Sequence, residues 1–451
     1  MNRLNNKNLL FSNRELLSML LPIIVNDLSE IFVSLVDSIM VSSVGEAAVS
    51  GISLVGSLSG IFTTFLGTLA IGCTVVVSQQ IGSRNYEKAG RIARQSVFIG
   101  LGFGIPIVAL LLCFAPSLLH MVYPDTDPAI MENARIYFLI FSLTLPSLAV
   151  QSMLLCTIRA MGKNKLILIL GFARNILNIA GNALLIRGLN MGVAGAAIAT
   201  VISSYICCFI SFILTRNKHL PINVRGLRKT KLDFSEIKMV LSVGLGASME
   251  RCLLMLGKVF ITAMYANLDA NSISAYYISR HILNISWTLF FGFGTVLMTV
   301  VGQCIGANKP EQAKQYTKQA LYITVPLCFV INGILFLLRN HIVHIYDLSG
   351  ETLLMAGKYT GLGALLTAFC LYPMAILPAY SFRAAGDTMY AAVSSTVITF
   401  LCQVGLCYVF VKYFNWGITG VWLSIGGDWI VRVIVHSIHF HRNRWLTKRV
   451  I

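Results

Sequence analysis

Long apolar runs alternate with short polar segments along the chain, and each run has the length of a membrane-spanning helix. A helix needs roughly 20 apolar residues to cross the hydrocarbon core of a bilayer, so each run predicts one transmembrane helix. The runs form two sets of six, separated by the longest polar stretch. The predicted spans are 16–41, 50–81, 95–122, 134–157, 166–187, 193–215, 237–266, 273–304, 320–346, 352–381, 389–411 and 418–440.

This pattern also predicts the domain organisation. Residues 1–215 form an N-lobe with spans 1–6, and residues 216–236 form a basic linker. Residues 237–441 form a C-lobe with spans 7–12, and residues 442–451 form a short tail. We therefore expect an all-α polytopic membrane protein with twelve transmembrane helices in two six-helix lobes.

The distribution of Lys and Arg predicts the orientation in the membrane. Of the 35 basic residues, 25 lie on the side of the two termini and the linker, and five lie on the opposite side. Cytoplasmic loops carry an excess of Lys and Arg. We expect a multi-pass protein of the cell membrane with both termini in the cytoplasm.

Composition excludes several other classes of function. The charged fraction is 12%, whereas soluble domains average about 25%. The net charge of +17 lies in loops between apolar runs, so topology accounts for it and nucleic-acid binding is not expected. We find no phosphate-binding loop, no nucleophile with its base and no metal-ligand cluster. We expect neither an enzyme nor a cofactor.

The two halves of the sequence repeat each other at a shift of 224 residues. The block VVVSQQIGSRNYEKA (75–89) aligns with VVGQCIGANKPEQA (300–313), and RAMG (159–162) aligns with RAAG (383–386). An even number of spans per half predicts a parallel repeat about an axis along the membrane normal. Two such bundles leave a cleft between them, which favours a transporter.

Three acidic residues, Asp27, Glu30 and Asp37, lie inside the first predicted span. A charge at bilayer depth costs roughly 2.5–3.5 kcal/mol or more and marks a functional site by default. Glu30 and Asp37 lie on one helix face, about 10 Å apart along the axis. We expect these acids to face a hydrated interior that carries a cation. The alternative for Asp27 and Glu30 is that they lie near a cytoplasmic vestibule and are only solvated there.

The second half carries cations inside its spans. Asp428 and Arg432 are spaced i, i+4, which predicts a structural ion pair. For Arg251 and Lys258 we favour pairing with Glu250 or the acids of span 1 over contact with an anionic or zwitterionic substrate. The residues expected to line the substrate cleft are Glu250, Arg251, Met255, Lys258, Tyr276, Arg280 and Tyr372.

Six sequence blocks resemble the multidrug and toxic compound extrusion (MATE) transporters and occur in that family's order. The blocks are VDSIMVSSVGEAAVSG (36–51), VVVSQQIGSRNYEKA (75–89), RAMG (159–162), GVAGAAIAT (192–200), VGQCIGANKPEQA (301–313) and FRAAGD (382–387). The resemblance implies two lobes in a V shape that export drug-like, often cationic compounds against inward Na⁺ or H⁺ flow. The chain resembles the DinF-like branch more than the NorM-like branch.

The resemblance also implies roles for individual residues. Asp37 matches the family's aspartate in span 1, and Pro22 matches the proline at which that helix can bend. The remaining matches to the polar network around the aspartate are Tyr137, Asn178 and Thr200. Asn182 stands where the DinF-like branch often has Asp, which leaves the site with one fewer carboxylate unless Glu30 or Asp27 substitutes.

The C-lobe departs from the NorM-like pattern. Leu254 and Tyr372 stand where that branch places a Glu and an Asp as a cation site. We therefore expect coupling through Asp37, with H⁺ or Na⁺ as the coupling ion, in a monomer that binds an organic cation or zwitterion. The alternatives are a flippase for a lipid-linked oligosaccharide and an exporter of an anionic metabolite.

Overall fold

Sixteen α-helical segments make up most of the chain in the computed structural model, which describes residues 9–124, 126–266, 268–346 and 350–451, without the side chains of residues 35 and 228. No residue in these ranges lies in a β-strand. The helices are α1 (Asn13–Ser42), α2 (Glu46–Leu69), α3 (Ile71–Gly82), α4 (Tyr86–Val122), α5 (Pro128–Ser142), α6 (Leu145–Ala160), α7 (Asn164–Asn182), α8 (Gly192–Thr215), α9 (Phe234–Tyr265), α10 (Ala270–Gly306), α11 (Pro310–Val343), α12 (Gly350–Phe369), α13 (Tyr372–Ala385), α14 (Thr388–Ile398), α15 (Gly405–Tyr408) and α16 (Gly417–His441). Three π-helical segments extend or join helices, Ala183–Gly188 after α7, Thr399–Val404 before α15 and Val409–Tyr413 after α15.

The helices account for the predicted number of spans. Among the described residues, ten continuous helices are long and apolar enough to cross a membrane. Two bent pairs, α5–α6 and α12–α13, pass the same test when each pair is one span, which gives up to twelve. The predicted all-α polytopic fold is confirmed.

Two helices begin well before their predicted spans. The predicted starts at residues 95 and 320 were wrong, because α4 begins at Tyr86 and α11 at Pro310. The Asn85 side chain accepts a hydrogen bond from the Lys88 amide at 3.1 Å and caps α4, and such caps satisfy the free amides of a first turn. These first turns are polar, so hydropathy could not detect them.

The two bent pairs occupy equivalent places in the two halves of the chain. The α5–α6 pair bends by 45° and the α12–α13 pair by 55°. At the second bend Leu371 adopts a left-handed conformation with φ 51°, which costs a bulky residue about 1–2 kcal/mol. The bend places Tyr372 at the start of α13, where its side chain is buried.

The chain divides into two compact units. One comprises residues 13–248, and the other comprises residues 249–450 together with the described residues 9–12. Helix α9 therefore contributes to both units. Within the first unit α4 packs on α6 and α2 packs on α5, and within the second unit α11 packs on α13 and α10 packs on α12. The same helix pairs thus recur in both halves, as the repeat predicts.

Close packing of α4 on α6 depends on two glycines. A Cβ atom at Gly104 would lie 2.8 Å from the Pro146 Cα, and one at Gly100 would lie 3.1 Å from the Ala149 backbone. Small residues allow membrane helices to approach this closely. Gly102, on the same helix, has nothing within 4 Å of its Cβ position.

We expect Gly104→Ala to destabilise the protein by about 1–3 kcal/mol, because the new methyl group overlaps backbone that must move. Gly102→Ala is the matched control and should not lower stability, since alanine is the better helix former. Thermal denaturation of the detergent-solubilised variants measures both effects. Equal melting temperatures for the two variants would contradict the packing assigned to Gly104.

Candidate functional site

Asp37 on α1 is the centre of a polar network in the first unit. The Asn182 amide nitrogen donates to Asp37 Oδ1 at 2.9 Å. Asn178, with its amide oriented to satisfy its neighbours, donates to the two Asp37 oxygens at 3.0 and 3.1 Å and accepts from the Thr200 hydroxyl at 3.2 Å. Helices α1, α7 and α8 each contribute to this network, which brings together Asp37, Asn178, Asn182 and Thr200 as expected.

Asn182 has one hydrogen-bond acceptor that is not used. Asn182 Oδ1 is buried and has no hydrogen-bond partner among the described residues, and a buried unpaired polar atom costs free energy. Asn182 is also the last residue of α7 before the π-helical segment Ala183–Gly188. Such π-turns are rare and recur at functional sites. The network therefore offers an unoccupied oxygen next to a carboxylate.

Tyr137 lies beside the network and makes no hydrogen bond to Asp37 in the described part of the chain. Its ring stacks on Phe141 at 5.6 Å and packs against an apolar cluster that contains Val41 and Ile186. Its phenol is close enough to Asp37 to interact electrostatically. Tyr137 thus contributes an apolar wall next to the carboxylate.

The other two acids of α1 form a separate cluster. Glu30 pairs with Arg174 of α7 at 3.2 Å, and the Asn26 amide lies 3.4 Å from both Asp27 Oδ1 and Glu30 Oε1. In the described ranges neither acid bonds to Asp37 or Asn182. Neither acid therefore replaces the carboxylate that the DinF-like branch often has at the position of Asn182.

Helix α1 continues without interruption through Pro22. Proline has no amide hydrogen to donate to the carbonyl four residues earlier, which weakens the helix at that point. Close to this weak point, the Asn164 side chain donates to the Met19 carbonyl at 2.8 Å. A side chain from α7 therefore supports α1 next to its proline.

A second candidate site is a cavity of about 290 Å³ within residues 249–450. Six of the seven residues expected in the substrate cleft line it, and Met255 does not. The six are Glu250, Arg251, Lys258, Tyr276, Arg280 and Tyr372. We call this space the cationic cavity, because five cationic and only two acidic side chains line it among the described residues.

Both acids of the cationic cavity are held by arginine. Arg383 Nη2 donates to the two Glu250 oxygens at 2.6 and 2.7 Å. Arg432 contacts Asp428 at 2.9 and 3.2 Å and also donates to the Thr399 hydroxyl at 2.8 Å. The ion pair predicted from the i, i+4 spacing is confirmed.

The pairing of Arg251 and Lys258 with Glu250 was wrong. Glu250 is bonded to Arg383, and neither Arg251 nor Lys258 has an ion pair in the part of the chain that the structure describes. Arg251 instead lies over the Phe291 ring at 5.8 Å. Arg280 similarly lies over the Tyr276 ring at 5.6 Å and has no acidic partner among the described residues.

Aromatic rings form one wall of the cationic cavity. Tyr372 contacts Trp429 with ring centroids 4.8 Å apart and Trp287 at 6.0 Å. The two tryptophan rings lie 5.9 Å apart. Three fixed rings next to several charges make a surface suited to a flat molecule that also carries charge.

Sequence reasoning missed Arg383, Thr399 and Trp429. Arg383 lies in the FRAAGD block and is the repeat counterpart of Arg159, but the predicted span ends at residue 381 and does not include it. Helix α13 continues to Ala385 and so places Arg383 beside Glu250. Trp429 adjoins Asp428 in sequence, which was the available signal.

Comparison with known proteins identifies the family. The MatE family profile matches residues 22–184 and 247–409, so the chain belongs to the MatE family. The two matches begin 225 residues apart, in agreement with the repeat. It is a multi-pass membrane protein of a transporter family. Its placement in the DinF-like branch stays a prediction.

Several relatives match the chain over nearly its whole length. "Uncharacterized transporter YisQ" of Bacillus subtilis is 23% identical, over 96% of this chain and 95% of that protein. "Probable multidrug resistance protein NorM" of Thermotoga maritima is 20% identical, over 97% and 94%. "Multidrug and toxin extrusion protein 1" of Homo sapiens is 22% identical, over 91% and 71%.

Solved structures share the fold. One is described as "Outward-facing conformation of a multidrug resistance MATE family transporter of the MOP superfamily", with a TM-score of 0.89, 20% identity and 96% of each chain covered. Another, from Pyrococcus furiosus, is described by "Reverse polarity of binding pocket suggests different function of a MOP superfamily transporter", also with a TM-score of 0.89, 20% identity and 96% coverage of each chain.

We expect Glu250→Gln to destabilise the protein by about 3–5 kcal/mol, because it leaves the Arg383 guanidinium buried without its counter-charge. Glu132→Gln is the matched control. Its partner Arg135 lies 3.7 Å away and both side chains are more than half exposed, so the loss should be at most about 1 kcal/mol. Thermal melting in detergent compares them. A Glu250→Gln variant as stable as the control would show that the buried pair does not hold the cavity together.

Proposed function

We propose that this protein is a secondary active exporter of drug-like or toxic organic compounds, driven by exchange with H⁺ or Na⁺ at Asp37. The observation that carries the proposal is the Asp37 carboxylate, which lies in a membrane-spanning helix, bonds to two asparagines and adjoins the unpaired Asn182 Oδ1. The names of the relatives, which include multidrug resistance and extrusion proteins, support the substrate class.

The charged carboxylate fits the network as it stands. An ionised aspartate only accepts hydrogen bonds, and the amide nitrogens of Asn178 and Asn182 supply them at 2.9–3.1 Å. Hydrogen bonds to a charged group contribute about 1.5–3 kcal/mol each. These bonds offset part of the cost of a charge at this depth.

A proton at Asp37 would reverse the direction of one bond. A protonated carboxyl group carries an O–H donor and needs an acceptor, and Asn182 Oδ1 is buried beside it without a partner. Rotation of the Asn182 amide would bring that oxygen to the new donor. Asp37 and α7 therefore have two hydrogen-bonded arrangements, one for each protonation state.

Na⁺ is the other candidate for the coupling ion. The described residues contain no cluster of three His, Cys, Asp or Glu side chains that could hold a metal. A Na⁺ ion at Asp37 would depend on neutral oxygens, and the network contains those of Asn182 and Thr200. The gradient experiment below distinguishes the two ions.

Coupling requires that the two arrangements favour different helix conformations. Asp37 lies on the same helix as Pro22, where α1 is weakest, and α7 contacts α1 at both Asp37 and Met19. We propose that loss of the Asp37 charge changes how α1 packs on α7 and bends α1 at Pro22. Solved relatives of this fold are described in a "straight conformation" and a "bent conformation".

The location and assembly complete the proposal. We propose that the protein is a monomer of the cell membrane with both termini in the cytoplasm, as the distribution of Lys and Arg favours. The functional lobes are residues 1–215 and 237–441, joined by the basic linker 216–236.

We expect Asp37→Asn to reduce gradient-driven export by at least tenfold, because the side chain can no longer gain or lose a charge. The assay measures export of ethidium, norfloxacin and carboxyfluorescein from proteoliposomes, with a pH gradient and a Na⁺ gradient imposed separately. The gradient that drives export identifies the ion.

The control for that variant is Glu46→Gln, an exposed carboxylate in the first turn of α2, which should export at the wild-type rate. Export by Asp37→Asn at the wild-type rate would exclude Asp37 as the coupling group. Failure of both gradients with folded wild-type protein would exclude cation-coupled export of these three compounds.

We further expect Asn182→Ala to shift the ion concentration for half-maximal export by about tenfold, since one hydrogen bond to a charged group contributes about 1.5–3 kcal/mol. For H⁺ the concentration should fall, because the lost bond stabilises the charged carboxylate. For Na⁺ it should rise, because an oxygen ligand is lost. Asn133→Ala, which removes only a bond from an exposed amide to the Ala129 carbonyl, is the matched control. The dependence of export on ion concentration gives both values. An unchanged half-maximal concentration in Asn182→Ala would remove that residue from the coupling site.

A further inference from the structure

We propose that the cationic cavity binds an organic anion, an aromatic molecule that carries two or three carboxylate, sulfonate or phosphate charges. The inference rests on the proposed export function and names the charge of its cargo. It replaces, for this cavity, the organic cation or zwitterion expected from the resemblance.

The first argument is the formal excess of three positive charges in the cationic cavity. Arg251 and Lys258 lie two turns apart on α9, and Arg280 faces them from α10. Lys258 is within electrostatic range of both arginines. Like charges brought together at membrane depth are costly, and no acid in the described part of the chain neutralises them. A bound anion would supply the missing counter-charge.

The second argument is that a cationic ligand finds no free carboxylate there. Glu250 accepts two bonds from Arg383, and Asp428 accepts two from Arg432. A cation could use either acid only by breaking a buried ion pair, which typically costs about 3–5 kcal/mol. The same two ion pairs that hold the acids leave the other three cations for a ligand.

The third argument is the geometry available to an anion. Guanidinium groups bind carboxylates and phosphates through two parallel hydrogen bonds. Arg251 and Arg280 each lie over an aromatic ring, which limits their conformational freedom before a ligand arrives. Lys258 adds a point charge with three donors. Together they match a ligand with several anionic groups rather than a single small ion.

The fourth argument concerns the uncharged part of the ligand. Trp287, Tyr372 and Trp429 form a continuous aromatic wall, and rings stack on such walls in offset or edge-to-face arrangements. Asn284 and Gln403 also line the cavity and offer hydrogen bonds. The volume of about 290 Å³ lies just below the usual range of small-molecule pockets, about 300–1,000 Å³, and so favours a compact ligand. An aromatic polyanion fits this surface better than an acyl chain does.

The test is equilibrium binding of carboxyfluorescein to the purified full-length protein in detergent at pH 7.5, followed by fluorescence anisotropy. We expect the wild type to bind carboxyfluorescein at least tenfold more tightly than ethidium. Lys258→Gln and Arg280→Gln should each weaken carboxyfluorescein binding by at least tenfold. Arg135→Gln, the same change outside the cavity, should leave binding unchanged.

Charge-conserving variants keep the test valid if a glutamine variant fails to fold. Lys258→Arg and Arg280→Lys preserve the charge and should bind carboxyfluorescein within threefold of the wild type. Benzene-1,3,5-tricarboxylate should displace the dye. Displacement by a short-chain phosphatidate but not by the tricarboxylate would assign the site to a lipid headgroup and overturn the proposal.

Two further results would overturn it. One is ethidium binding as tight as that of carboxyfluorescein, and the other is carboxyfluorescein binding unaffected by loss of Lys258 or Arg280. Binding at equilibrium needs no ion gradient, so the result of the binding test does not depend on the result of the export assay. Tight anion binding without gradient-driven export would exclude the antiport mechanism and leave the anion site in place.

Discussion

The second unit depends on the pairing of opposite charges, because the interior of a membrane protein tolerates little unpaired charge. The Glu250–Arg383 pair joins α9 to α13, and the Asp428–Arg432 pair, with its bond to Thr399, joins α16 to the π-helical segment after α14. Each pair ties together helices that line the cationic cavity. Because a broken buried pair costs several kcal/mol, these contacts keep the helices in place around a space that is not itself filled by side chains.

The two halves use one architecture for opposite charges. Asp37 is the acid at the centre of the polar network in the first unit, and a shift of 224 or 225 residues places the uncharged Ile261 and Thr262 at the corresponding position. Conversely, Lys258 corresponds to Val33 or Ser34. The duplicated helices therefore keep the same packing pairs while their polar positions have diverged. In the proposed function, one half binds the coupling cation and the other half binds an anionic cargo, so the two ligands have separate sites.

How much of the fold and of the two candidate sites could be predicted from the sequence depends on how far apart along the chain the interacting residues lie. Apolar runs located the spans, because hydropathy is a property of neighbouring residues. The Asp428–Arg432 pair was predictable from spacing on one helix, and the Asp37 network from the resemblance. The Glu250–Arg383 pair joins residues 133 positions apart, and only the packing of α13 brings them together. The favoured pairing of Arg251 and Lys258 failed for that reason, since periodicity cannot show that Glu250 is already bonded.

The excess of positive charge in the cationic cavity has a consequence for the energy source of export. For a cargo with two negative charges that leaves as one proton enters, three charges move in the direction that an inside-negative voltage favours. Each contributes about 2.3 kcal/mol per 100 mV, so roughly 7 kcal/mol per 100 mV acts on every cycle. Such a cycle would be electrogenic, and the membrane voltage, more than the chemical gradient of the ion, would set how far the cargo can be concentrated outside.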